Sequence, residues 1–151
     1  MHEQWMHQAL LEAELAAEMG DVPVGAVIVK DNKIIARGHN QVEQLKDPTA
    51  HAEIIAITAA AAEIGNWRLE YCRLYVTMEP CPMCAGAILN ARIPELYYAV
   101  KDPKAGAVDS LYHLLEDPRF NHRCRIQNGL LKEQAETQLQ NFFKILRQSD
   151  S

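Results

Sequence analysis

The feature that most restricts the fold of this chain is an alternation between two hydrophobic periods. Short strand-like runs, VGAVIV (24–29), RLYVTM (73–78) and ELYYAV (95–100), are separated by stretches with apolar residues at helical spacing. Trp5, Met6, Ala9, Leu10, Ala13, Ala16 and Ala17 make one such stripe, which predicts an amphipathic helix over residues 3–19, stopped by Gly20. Asp31-Asn32 reads as a hairpin turn joining the first run to KIIARGHN (33–40). A helix is predicted from about 50 to 64, and another begins at Pro80-Cys81-Pro82 and runs to about residue 91, short of Pro94. Residues 111–115 suggest a short helix and 124–127 a short strand. Residues 132–147 predict a closing helix striped by Leu139, Phe142, Phe143 and Leu146. Strands alternating with helices imply an α/β architecture with helices on both faces. Parallel pairing is expected from Arg73 onward, beside an antiparallel first hairpin, so the sheet should be mixed.

At 151 residues the chain is sized for a single domain, 1–151, with a sizeable core. Its longest apolar stretches are too short or too alanine-rich to span a bilayer, so no membrane association is expected. A cytoplasmic location is expected, where thiols stay reduced and a Cys-x-x-Cys more often serves a metal or redox role than a staple. The net charge of −5 argues against a nucleic-acid partner until its distribution is read. Residues 1–21 hold five acids (Glu3, Glu12, Glu14, Glu18, Asp21) and no lysine or arginine, so the remainder is neutral overall. Residues 118–132 carry Arg119, Arg123, Arg125 and Lys132 without one acid, a patch that permits phosphate contact.

Cys81 and Cys84, one helical turn apart, share a face and can grip one ion. A third ligand of suitable softness is His51, at the start of the preceding helix. Both helices begin at the end of the sheet where open α/β folds keep their ligands, and a helix N-terminus favours thiolate over thiol. One imidazole and two thiolates suit Zn2+. Cys72 begins the strand that leads to Cys81, roughly 15 Å or more away at strand rise, and cannot join. The spacing leaves Cys124 open as a fourth ligand, although a small buried residue is its commoner role. Three protein ligands leave one position to solvent, the mark of a catalytic zinc. Glu53, two residues beyond His51, is then placed as a proton carrier beside the metal.

His51-Ala52-Glu53 followed by Pro80-Cys81-x-x-Cys84 resembles the H-x-E…P-C-x-x-C signature of the zinc-dependent nucleobase deaminases. The neighbouring words EQWMHQAL, VPVGAVIV, DPTAHAEI, LYVTMEPCPMCAGAI, KDPKAGA, FNHR and NFFKILR are similar to those of the bacterial tRNA-specific adenosine deaminases, which make inosine from the wobble adenosine of an anticodon. The resemblance runs from about Trp5 to Arg147. It implies a three-layer α/β/α cytidine-deaminase-like fold with a mixed, roughly five-stranded sheet. It further implies a homodimer with one zinc per subunit, acting on a tRNA anticodon stem-loop. By the same resemblance His51, Cys81 and Cys84 bind zinc and Glu53 shuttles protons. Asn40 meets the purine ring, and the Ala52 N–H meets the substituent at C6. Asp102 and Lys104 line the nucleotide path, with Asn121, His122 and Arg123 near flanking ribose and phosphate. Two other readings share part of this pattern. A deaminase of a free base or nucleoside, such as guanine or cytosine, has the zinc signature without need of FNHR or the closing helix. A non-catalytic zinc module would need Cys124 to complete the coordination.

Overall fold

The computed structural model describes residues 1–149. Five strands, β1 (Gly25–Lys30), β2 (Lys33–His39), β3 (Arg73–Met78), β4 (Glu95–Val100) and β5 (Arg125–Gln127), form one sheet in the order β2-β1-β3-β4-β5. Pairing of β1 with β2 and with β3 is antiparallel, whereas β3–β4 and β4–β5 are parallel, so the expected mixed sheet is present. Asp31 and Asn32 both take positive φ, 52° and 58°, as a two-residue hairpin turn of the primed type demands. The register slips between Ile28 and Val29, leaving Ile35 as an extra residue on β2.

Helices cover both faces. On one side α1 (His2–Glu18) and α5 (Lys132–Ser149) bring Met6, Ala9, Leu10 and Ala135 against Val27, Val29, Tyr75 and Ala99. On the other, α3 (Ala52–Ile64) and α4 (Pro82–Ala91) bring Ala52, Ala56, Ala60, Ala85 and Ile88 against Ala26, Ile28, Leu74, Val76 and Tyr98. The alanines matter because they let helix backbones sit close to the sheet. Glycines opposite them complete the contact. A Cβ on Gly25 would run into the backbone of Ala9 and Ala13 in α1, and one on Gly38 into the backbone of Ala52 and Ala56 in α3. Gly38 therefore sets how deeply the start of α3 is seated.

Gly38→Ala is expected to destabilise the fold by roughly 1–3 kcal/mol, the usual cost of forcing an extra methyl into a packed layer. Gly86→Ala on α4, where an added Cβ meets nothing within 4 Å, should be neutral or stabilising. Urea midpoints of the two variants check this, and equal midpoints would dispose of the close-contact argument.

Three local expectations shift. The helices expected from about 50 and from 80 start at Ala52 and Pro82, with His51 and Cys81 as their extended N-cap residues. A four-residue helix, α2 (Val42–Leu45), occupies what the sequence left as loop, and the short helix expected at 111–115 is a 3-10 turn at Leu114–Glu116. On α5 only Ala135 is fully buried. Phe142 is half-buried, while Phe143 and Leu146 are 39% and 45% exposed. No helix among the described residues is long and apolar enough to cross a membrane.

Candidate active site

Two chain turns meet at one end of the sheet. β3 leaves the core through Glu79 and Pro80 into Cys81, whose backbone stays extended (φ −76°, ψ 175°) before Pro82 opens α4. Proline suits that first helical position because its missing N–H has no intrahelical partner there. His51 holds the matching place ahead of α3 (φ −77°, ψ 152°). Two helix N-termini thus converge, and both favour anionic sulfur.

The donor atoms of His51, Cys81 and Cys84 lie within 4.8 Å of one another. Nδ1 of His51 is 3.5 Å from each sulfur. A tetrahedral ion with bonds of about 2.3 Å to sulfur and about 2.0–2.1 Å to nitrogen separates those atoms by roughly 3.5 Å, so the residues present fit such an ion. Cys124 stands apart: its thiol donates to the Arg125 carbonyl at 3.7 Å, and it is outside the cluster, as is buried Cys72. Among the described residues the cluster has three members, not four.

The sulfurs already divide their proton unequally. The hydrogen bond from Cys84 holds Cys81 down to about 4, while bonding to Cys81 and burial push Cys84 up. The contact with Cys81 raises His51 in turn. A cation in the cluster would draw off these protons, since thiolate and neutral imidazole are the ligating forms. Glu53 is 3% exposed, and burial pushes its carboxyl up to about 7. Such a carboxyl can both take and return a proton near neutrality.

Asn40 follows β2 and accepts the Ala52 N–H through Oδ1 at 2.9 Å. The two groups expected to meet the base are therefore brought beside His51 and tied to each other, which leaves the Asn40 side-chain NH2 as the donor for a ligand. Asp102 and Lys104 lie on the loop after β4, where Asp102 Oδ1 accepts the N–H groups of Lys104 at 3.0 Å and Ala105 at 3.2 Å. Asn121 and Arg123 are exposed, whereas His122 is half-buried, with its ring Nε2–H donating to the Ile93 carbonyl at 2.7 Å. Among the described residues no hydrogen bond or ion pair joins 121–123 to the His51–Cys81–Cys84 cluster, so their place in a ligand site depends on a large ligand.

Two buried acids that hold backbone N–H groups in place escaped the sequence reading. Glu79 binds the loop that carries Asp102. Asp21, 2% exposed, accepts the N–H groups of Glu43 and Gln44 and so caps α2 from twenty-odd residues away. A carboxylate between an apolar strand and a proline was a visible signal for the first. Nothing local marks the second.

The chain matches the MafB19-like deaminase family over residues 1–147. It is 48% identical over 140 residues to the tRNA-specific adenosine deaminase of Streptococcus pyogenes serotype M1, spanning 93% of this chain and 82% of that one. Its identity to the tRNA-specific adenosine deaminase of Bacillus subtilis (strain 168) is 45% over 145 residues, 96% and 90% of the two chains. The chain belongs to the tRNA-specific adenosine deaminase family. A solved structure from biochemical and structural studies of A-to-I editing by tRNA:A34 deaminases superposes with a TM-score of 0.87 at 45% identity, over 90% of this chain and 99% of that one. The five-stranded mixed sheet flanked by helices is thus the cytidine-deaminase-like fold of the tRNA deaminases, as the resemblance implied.

Proposed function

We propose that the chain is a zinc-dependent tRNA adenosine deaminase that converts the wobble adenosine of an anticodon to inosine and releases ammonia. The observation that carries this reading is the buried Glu53 carboxyl, two residues beyond His51, beside a His51–Cys81–Cys84 cluster of tetrahedral spacing. Bound by those three residues, zinc would supply the activation of a water molecule at neutral pH. Glu53 accepts the proton that this water gives up and passes it to N1 of adenine. Once that oxygen is bonded to C6, Glu53 takes its second proton and delivers it to the amino nitrogen, as the C6–amino bond breaks and the oxygen becomes the carbonyl of inosine. Water is consumed and ammonia leaves, so atoms and charge balance. The Asn40 side-chain NH2 orients the purine. A single-stranded anticodon loop offers its base for extrusion at low unstacking cost.

The same reading takes the protein as one catalytic domain, paired as a homodimer with one zinc per subunit. Four unpaired cysteines support a reducing, cytoplasmic setting. An anticodon stem-loop, with adenine moved in turn to each loop position, tests the reading by release of inosine and ammonia; free nucleosides form the second arm. Deamination of nucleosides with none of the stem-loop would replace it with a small-molecule deaminase.

Arg123 is exposed on the basic segment and is assigned to phosphate. Arg123→Ala is expected to weaken stem-loop binding and flatten the dependence of log K on log salt by about one unit. Titrations at several salt concentrations measure this, and an unaltered slope would move the RNA to another surface.

A further inference from the structure

Glu79 lies two residues before Cys81, and the chemistry above makes no use of it. Its side chain is 3% exposed, and no cationic group pairs with it among the described residues. Donors from a single loop fill its oxygens instead. Oε1 accepts the N–H of Asp102 at 3.0 Å, and Oε2 accepts those of Val108, Asp109 and Ser110 at 3.1, 2.8 and 2.9 Å. The Ser110 hydroxyl donates to Oε1 as well. Both ends of the segment 102–110 therefore converge on one carboxylate.

The loop is shaped to that group. A Cβ on Gly106 would fall inside the carboxylate of Glu79. Two backbone bonds hold the register on either side, Glu79 N–H to the Val100 carbonyl at 2.8 Å and Ala107 N–H to the Pro80 carbonyl at 2.9 Å. A buried charge is costly, and an apolar residue could have packed the same space. What five directed hydrogen bonds add is a fixed position for the loop backbone. Asp102 passes that position on, because its own Oδ1 holds the N–H groups of Lys104 and Ala105.

We propose that Glu79 is a positioning residue for the RNA substrate: by gathering the 102–110 loop onto the segment that enters Cys81, it sets where Asp102 and Lys104 stand relative to the metal-ligand cluster, and so how tightly the nucleotide path is held. This rests on the RNA deaminase reading above. The residue acts through its neighbours and touches neither the base nor the ion.

Glu79→Gln keeps the volume and replaces one acceptor oxygen with a donor facing other donors. The expected result is a rise of about tenfold in KM for the anticodon stem-loop, the effect of losing roughly one hydrogen bond to a charged group. Zinc content should stay at the wild-type level, kcat should change far less than KM, and the amides of Val108 and Asp109 should exchange with deuterium faster. Loss of fold or of active fraction would lower kcat without touching KM. Unchanged KM at full zinc content overturns the proposal, and so does loss of zinc, which would make Glu79 a support of the cluster itself. Should Glu79→Gln fail to fold, Ser110→Ala is read by the same criterion, with a rise of about threefold expected from one lost neutral donor. A wild-type chain that leaves the stem-loop unmodified brings down the functional reading first; a wild-type chain that deaminates it, beside a variant with the same KM, brings down this proposal alone.

Discussion

Replacing Glu53 by alanine should leave the metal content of the protein untouched and lower kcat on the anticodon stem-loop by roughly 10²–10⁴-fold, the range that a positioned acid–base group contributes. The asymmetry follows from position. Glu53 follows the candidate ligand His51 by two residues and belongs to α3, but its carboxyl is not among the three donors of the cluster. Its burial holds the carboxyl up to about 7, so a protein without it loses the group best matched to carrying protons near neutrality. KM should change little, because the residues assigned to binding are untouched. Metal analysis paired with single-turnover rates checks both halves. A variant with full zinc and more than a tenth of wild-type turnover would take the proton-carrying role away from Glu53.

Cys84→Ser is expected to behave in the opposite manner. The Cys84 side chain is fully buried at the foot of α4, 3.5 Å from the His51 ring. A serine hydroxyl there is a far poorer ligand than a thiolate, so the ion should be lost on dialysis and turnover should fall to background. Stability should fall with it. An ion present at about 1,000 times its Kd stabilises the native state by about 4.1 kcal/mol. In a chain of this size that corresponds to a drop in Tm of roughly 8–16 °C. A chelator applied to the wild type should reproduce most of the drop and little more should follow when it is applied to the variant. A variant that retains its zinc and its Tm would dissolve the three-donor cluster as the metal site.

The sequence displayed the strands well, because their periodicity is local and their flanks carry turn residues such as Asp31-Asn32. β1 and β2 were placed to within one residue, and β3 and β4 at their observed bounds. The three metal-ligand candidates were legible for a similar reason: each precedes or opens a helix whose start is signalled by proline or by the Asp47-Pro48-Thr49 turn. What stayed hidden depends on long-range partners. The four residues of α2 form because Asp21 accepts two of their N–H groups, a bond no window around residue 42 contains. The short helix expected at 111–115 lies further along because Leu111 and Leu114 donate their N–H groups back to Gly106 and Ala107, in the loop wrapped about Glu79. On α5 the apolar stripe was visible, but how much of it the sheet covers depends on how the helix lies against the core, which no periodicity encodes. Ala135, rather than either phenylalanine, is the residue that α5 buries fully.

The borders of the sheet bear on how copies of this chain could associate. β5 ends one side after three residues, with Arg125 and Gln127 exposed. β2 ends the other, interrupted by an extra residue and carrying exposed Lys33 and Arg37, the latter reaching across to Glu12 at 3.5 Å and Gln8 at 2.9 Å. Short, charged or irregular borders like these give a neighbouring strand nothing to extend. Each sheet is therefore a closed unit within its own chain.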